Sequence, residues 1–124
     1  MKFPGHILRV ILSGAAVAVI AFLALRASPY ISELPWIPDW VGEWADRNGN
    51  VRNLPAFAGL ALMLLWPLGW RGSAAGSSLL AVLLECAQVF IAGRHFDWSD
   101  IGWSLLGVAL VAAPSGLAAR RKIK

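Results

Sequence analysis

Residues 74–92 read AAGSSLLAVLLECAQVFIA, an apolar run whose one formal charge is Glu85. A hydrocarbon core about 30 Å thick needs about 20 such residues in a helix. The run is therefore long enough to cross a bilayer and too long for an ordinary strand. Three similar stretches lie around it, from about Ile7 to Leu25, Leu54 to Trp70 and Ile101 to Ala119. Arg71, Gly72 and Ser73 separate the second from the third. Pro55 falls in a first turn, where proline is tolerated, whereas Pro67 falls in a last turn and is expected to kink it. Pro114 lies late in the fourth stretch. A signal peptide is the competing reading of residues 7–25. It is the weaker one, because no small-x-small site follows and Arg26 stands where cleavage would fall.

Composition agrees with a membrane protein. Of 124 residues, 58% are hydrophobic and 15% charged, against about 25% charged in a soluble domain. A globule this small cannot bury so much apolar surface, and disordered chains are poor in apolar residues. The expected fold is all-α: one domain over residues 1–124, a bundle of four transmembrane helices. Neither internal repeats nor low-complexity runs interrupt it.

Lysine and arginine near span ends predict orientation. Lys2, Arg9, Arg71 and the tail residues Arg120, Arg121, Lys122 and Lys124 fall on one side. Arg26, Arg47, Arg52 and Arg94 fall on the other, beside the loop acids. Both termini are expected in the cytoplasm, with the chain in the bacterial cell membrane. The net charge of +4 is concentrated in that tail, which reads as an anchor beside anionic lipid rather than a nucleic-acid surface. The seven tryptophans all fall near predicted interfaces, where indole is favoured.

The first outer loop is patterned. Ser28-Pro29-Tyr30 breaks the first helix. Pro38 can open another, with Trp36, Trp40 and Trp44 four apart and Asp39, Glu43 and Asp46 interleaved. This predicts a short amphipathic helix in the outer interface, ended by the turn residues 46–50. It serves either as a strut with its acids in water or as a lid over an outer cavity.

Glu85 lies about 12 Å inside the third span at 1.5 Å per residue, where a charge costs about 2.5–3.5 kcal/mol on insertion scales. Gln88, Ala81 and Ser77 share its helix face, so that face should point into the bundle. Ser104 and Gly107 are small and should let the third helix approach the fourth closely. Ser13 and Gly14 leave a small face for a dimer. Cys86, the only cysteine, is expected to be packing and has no partner for an intrachain disulfide.

Between the third and fourth spans, residues 93–100 read GRHFDWSD. Asp100 is placed to cap the fourth helix, itself or through Ser99, and Asp97 can pair with Arg94. One role for this stretch is a polar hairpin that anchors the helix. The other is a pocket of Glu85, Gln88, Arg94, Asp97, Asp100 and Ser104 open to the outer face. The spacing matches no zinc motif, and His6 and His95 sit at opposite ends. Ser99 beside His95 is no triad. No cofactor, metal or catalytic residue is expected.

The stretch from Leu84 to Asp100 resembles the signature of the VanZ-like family of small multi-pass bacterial membrane proteins. Glu85, Gln88, Arg94, Asp97 and Asp100 match it residue by residue, and Gly107 matches a later glycine. The family's asparagine falls at Ser104, which loses the amide's two-ended reach. The stretch from Asn53 to Leu60 resembles the start of the family's second helix, with its frequent lysine and histidine replaced. The resemblance implies a shared polar cluster, and its namesake is associated with resistance to the glycopeptide teicoplanin. The expected function is non-enzymatic: altering access of a lipid-linked cell-wall precursor or lipophilic antibiotic to the outer membrane surface. There Glu85 and Gln88 would offer hydrogen bonds, Arg94 would pair an anionic head group, and Asp97 and Asp100 would position the loop. The rivals are a small transporter using Glu85, an enzyme acting on lipid head groups, and a structural partner in a larger complex.

Overall fold

The computed structural model describes residues 5–26 and 28–123; Lys2 and Lys124, two of the residues that predict orientation, lie outside them. The described residues are helical, without a strand. In chain order they form α1 (Gly5–Leu25), a 3-10 turn (Ile31–Glu33), α2 (Asp39–Arg47), α3 (Asn53–Gln88) and α4 (Trp98–Ile123). Helices α1, α3 and α4 are long and apolar enough to cross a membrane.

Helix α3 is not straight. Gly69 stands at φ 71° and ψ 177°, outside the helical region. In a continuous helix, Ala61 and Ser73 would be about 18 Å apart at 1.5 Å per residue. Instead the Ser73 hydroxyl donates to the Ala61 carbonyl at 2.5 Å. The chain therefore reverses at Gly69 into two antiparallel arms, 53–68 and 70–88. The break falls just after Pro67 and before the expected Arg71-Gly72-Ser73 turn, so Trp70 begins the second arm rather than ending the first. A Cβ at Gly69 would meet nothing within 4 Å; only its backbone conformation calls for glycine. Gly69→Ala should therefore cost about 1–3 kcal/mol, read as a lower unfolding temperature in detergent.

Contacts order the helices up and down. The Arg9 guanidinium lies 5.8 Å from the Trp66 ring, and the Ser13 hydroxyl reaches the Met63 carbonyl at 2.9 Å. Helix α1 thus runs antiparallel to the first arm. Gly107 meets the backbone of Leu54 and Ala58, and Gly116 meets the Trp70 ring, so α4 runs alongside the first arm. The core between arms and α4 is Phe57, Leu60, Ala61, Leu64, Ala81, Leu84, Val108 and Ala112, with Val17 and Ile20 of α1 packed against it. Large apolar side chains such as Val10, Ile11, Phe22, Leu62, Leu79 and Leu110 face outward. A bundle that turns so many large apolar side chains outward suits lipid as its solvent.

Four expectations are corrected here. Ser13 is buried against α3, so of the small pair only Gly14 faces outward. Cys86 is exposed on the outside of α3 rather than packed. Gly107 admits the first arm, not the second. The third helix stops at Gln88, not Ala92, because from Val89 onward the backbone bonds tighten to three-residue turns.

Candidate functional site

The end of the bundle where α1 and the second arm finish holds a cavity of about 600 Å³. Glu85, Gln88, Arg94, Asp97, Asp100 and Ser104 all line it. The predicted stripe of Ser77, Ala81, Glu85 and Gln88 is buried as expected, and its polar end opens into this space.

Most of these polar side chains are engaged within the chain. Glu85, only 5% exposed, accepts the Asp97 amide N–H at 2.7 Å through Oε1. That bond ties the loop after α3 back onto the helix. The Asp97 carboxylate accepts the Ser99 amide at 2.8 Å, which satisfies an open donor in the first turn of α4. The cap of α4 is thus Asp97, not Asp100 or Ser99, and α4 begins at Trp98 rather than Ile101. The reason is the Glu85 bond, which places Asp97 at the helix entrance. The Ser104 hydroxyl turns back to the Asp100 carbonyl at 2.7 Å, a local bond inside α4.

Gln88 Nε2 and Arg94 Nη2 both donate to the Ala24 carbonyl, at 2.8 Å and 3.2 Å. Ala24 lies in the last turn of α1, where carbonyls lack helical partners. A cation there also meets the negative end of the helix dipole. Arg94 therefore clamps α1 instead of pairing with Asp97, as the sequence suggested. Its second terminal nitrogen, Nη1, is buried without a partner among the described residues.

The first loop closes over the same cavity. Ile37, Val41, Trp44 and Ala45 line it from the α2 side. Asp46 does not face water. Its carboxylate accepts the amides of Ile31 at 2.7 Å and Ser32 at 3.3 Å, and the Ser32 hydroxyl as well. Arg52 stands 3.8 Å away. Asn50 Nδ2 donates to Ser99 Oγ at 3.1 Å, joining this loop to α4. Asp39 and Glu43 do point outward.

Burial works against the Asp46 charge, but the Ser32 hydroxyl and the two amides outweigh it and hold the carboxyl below its ordinary value. A depressed folded-state pKa stabilises above the unfolded value, and the stability is lost as pH falls through the folded one. The loop should therefore stay ordered at neutral pH and loosen as the pH falls below the ordinary aspartate value of 3.8. Hydrogen exchange at the Ile31 and Ser32 amides checks this; in Asp46→Asn the exchange should be faster and less pH-dependent.

Asn50, Arg52 and Asn53 also line the cavity. In the sequence, Asn50 reads only as a turn residue, Arg52 as an outer-side charge that helps to set orientation, and Asn53 as the start of a span. Their one signal is polarity next to a span start. Among the described residues no group of three histidine, cysteine, aspartate or glutamate side chains converges as metal ligands. His95 lines the cavity, and His6 lies in the first turn of α1, at the other end of the bundle. Comparison with protein-family models, curated proteins and solved structures gives no match.

Proposed function

We propose that this chain is a VanZ-like protein of the bacterial cell membrane that holds the polar end of an amphiphile at the outer face, without catalysis. The four spans are α1, the two arms of α3, and α4. The observation that carries the reading is the cavity itself: polar groups from α3, α4 and the loop between them converge above an apolar wall of Ile20, Leu23, Phe57 and Leu84. Sites of this size that pair apolar walls with a few placed polar groups are ligand sites by default. Arg9 and Arg71 lie at the end opposite the cavity, each against a tryptophan ring. That distribution supports a cytoplasmic placement for their end and an outward-facing cavity. Helix α2, with Trp36 just before it and Trp40 and Trp44 exposed, then lies in the outer interface over the cavity mouth.

Two of the three carboxylates, Glu85 and Asp97, already accept backbone amides. This favours a binding role over acid-base work. The ligand is a lipid-linked cell-wall precursor, or a lipophilic antibiotic of the teicoplanin type. The test is teicoplanin and vancomycin susceptibility in a Gram-positive host expressing wild type, Arg94→Gln or Glu85→Gln at matched membrane levels. Protection against teicoplanin by wild type, lost in both variants, is the expected result. No protection from well-expressed protein would overturn the resistance role.

A further inference from the structure

The two ends of the bundle differ in charge. All seven carboxylate side chains lie in residues 33–46 or 85–100, at the cavity end. Both described ion pairs, Arg26–Glu33 and Arg52–Asp46, are there as well. The opposite end carries Arg9, Arg71, Arg120, Arg121 and Lys122, with no aspartate or glutamate among them. The reversal of α3 and the last turns of α4 meet at that end. The Trp70 ring lies against α4, where a Cβ on Gly116 would come within 3.1 Å of it. The Arg71 guanidinium sits 5.3 Å from the centre of the same ring. Arg120 shares the helix face of Gly116 and lies one turn further on, about 6 Å along the axis at 1.5 Å per residue. Arg71 and Arg120 thus flank the place where Trp70 meets α4.

Like charges gathered without a carboxylate repel one another and favour an anion from outside. The geometry narrows the class of that anion. A guanidinium stacked on an indole keeps its planar edge open, and that edge matches a phosphate. Exposed apolar side chains lie beside it: Trp66 and Leu68 before the reversal, and Leu117 in α4. A free phosphate makes no use of them, whereas acyl chains do. Tryptophan and arginine together at the end of a span mark the membrane–water interface, where anionic lipid attracts basic segments. We infer that this end is a docking site for an anionic phospholipid, its phosphate held by Arg71 on Trp70 and by Arg120, its acyl chains running along the apolar flank. The site is independent of the cavity, which lies at the other end of the bundle.

The test uses the full chain purified in maltoside detergent. Native mass spectrometry would count retained dioleoyl phosphatidylglycerol and dioleoyl phosphatidylcholine, each offered at equal concentration. Both carry a phosphodiester and the same acyl chains, and only phosphatidylglycerol has a net charge. It should be retained about ten-fold more tightly or better. Arg120→Gln, an exposed change near the end of α4, should lower that preference about five-fold. In Arg71→Gln/Arg120→Gln it should fall to within about two-fold, with monodispersity and unfolding temperature reporting a folded bundle. Arg47→Gln, which removes a charge from α2 at the other end, should leave it unchanged. Equal retention of the two lipids by wild type would overturn the proposal. So would an unchanged preference in folded Arg120→Gln or in the folded double variant. An equal loss in Arg47→Gln would also overturn it, by reducing the effect to overall charge. Soluble glycerol phosphate retained as tightly as the lipid would assign this end to a free phosphate instead. Release of bound phosphatidylglycerol by polyuridylate at matched phosphate concentration would assign it to a nucleic acid.

Discussion

Glu85→Ala should lower the stability of the bundle by about 3 kcal/mol, whereas Glu85→Gln should cost about 1 kcal/mol. The Glu85 carboxylate receives the Asp97 amide at 2.7 Å from a position only 5% exposed. Alanine removes the acceptor and leaves that N–H without its partner in the protein. Hydrogen bonds to charged groups contribute about 1.5–3 kcal/mol, and an orphaned buried donor costs its own desolvation. Glutamine keeps the Oε1 acceptor and loses only the charge. In a small bundle the alanine change should lower the unfolding temperature by roughly 10 °C, measured by tryptophan fluorescence in detergent. The same change should loosen Asp97 as the cap of α4, so amide exchange at Ser99 and Asp100 should rise. Equal melting of the alanine and glutamine variants would mean that the bond contributes little.

Gly107→Ala should cost about 2–3 kcal/mol, the upper range for overpacking a tight contact. A Cβ at Gly107 would overlap the Leu54 carbonyl oxygen and come within 3.0 Å of the Ala58 nitrogen. Those are backbone atoms of the first arm of α3, so no side chain can swing aside, and α4 must back away from the arm. Gly107→Leu should leave no monodisperse protein. The control is Gly102→Ala one and a half turns earlier in α4, where a Cβ meets nothing within 4 Å. There the better helix propensity of alanine should stabilise by up to about 1 kcal/mol. Size-exclusion profiles and melting of the three variants separate close approach from a general intolerance to change in α4. An equal effect of Gly102→Ala and Gly107→Ala would remove the contact argument.

The helical class, the apolar stretches and the buried face of Ser77, Ala81, Glu85 and Gln88 are legible in the amino-acid sequence alone. They depend on local periodicity: 3.6 residues per turn decides which side chains share a face, and an apolar run of span length needs no tertiary partner to be recognised. The polar residues of the cavity are legible for the same reason, since Glu85 and Gln88 share a face and Arg94, Asp97 and Asp100 follow within one short connection. What each of them bonds to is not. Asp97, Ser99 and Asp100 are all competent caps within four positions, and only the Glu85 bond, reaching across twelve residues, selects Asp97. Arg94 has carboxylates close by in sequence but goes to the Ala24 carbonyl, seventy residues earlier. A backbone carbonyl has no sequence signature, because every residue carries one. The smallness of Gly107 marks a site of close approach but not the helix that approaches, and that helix is the first arm of α3 rather than the second. Composition and periodicity thus decide which faces turn inward. Which groups meet there depends on how the helices stack, because those meetings join residues far apart in the chain.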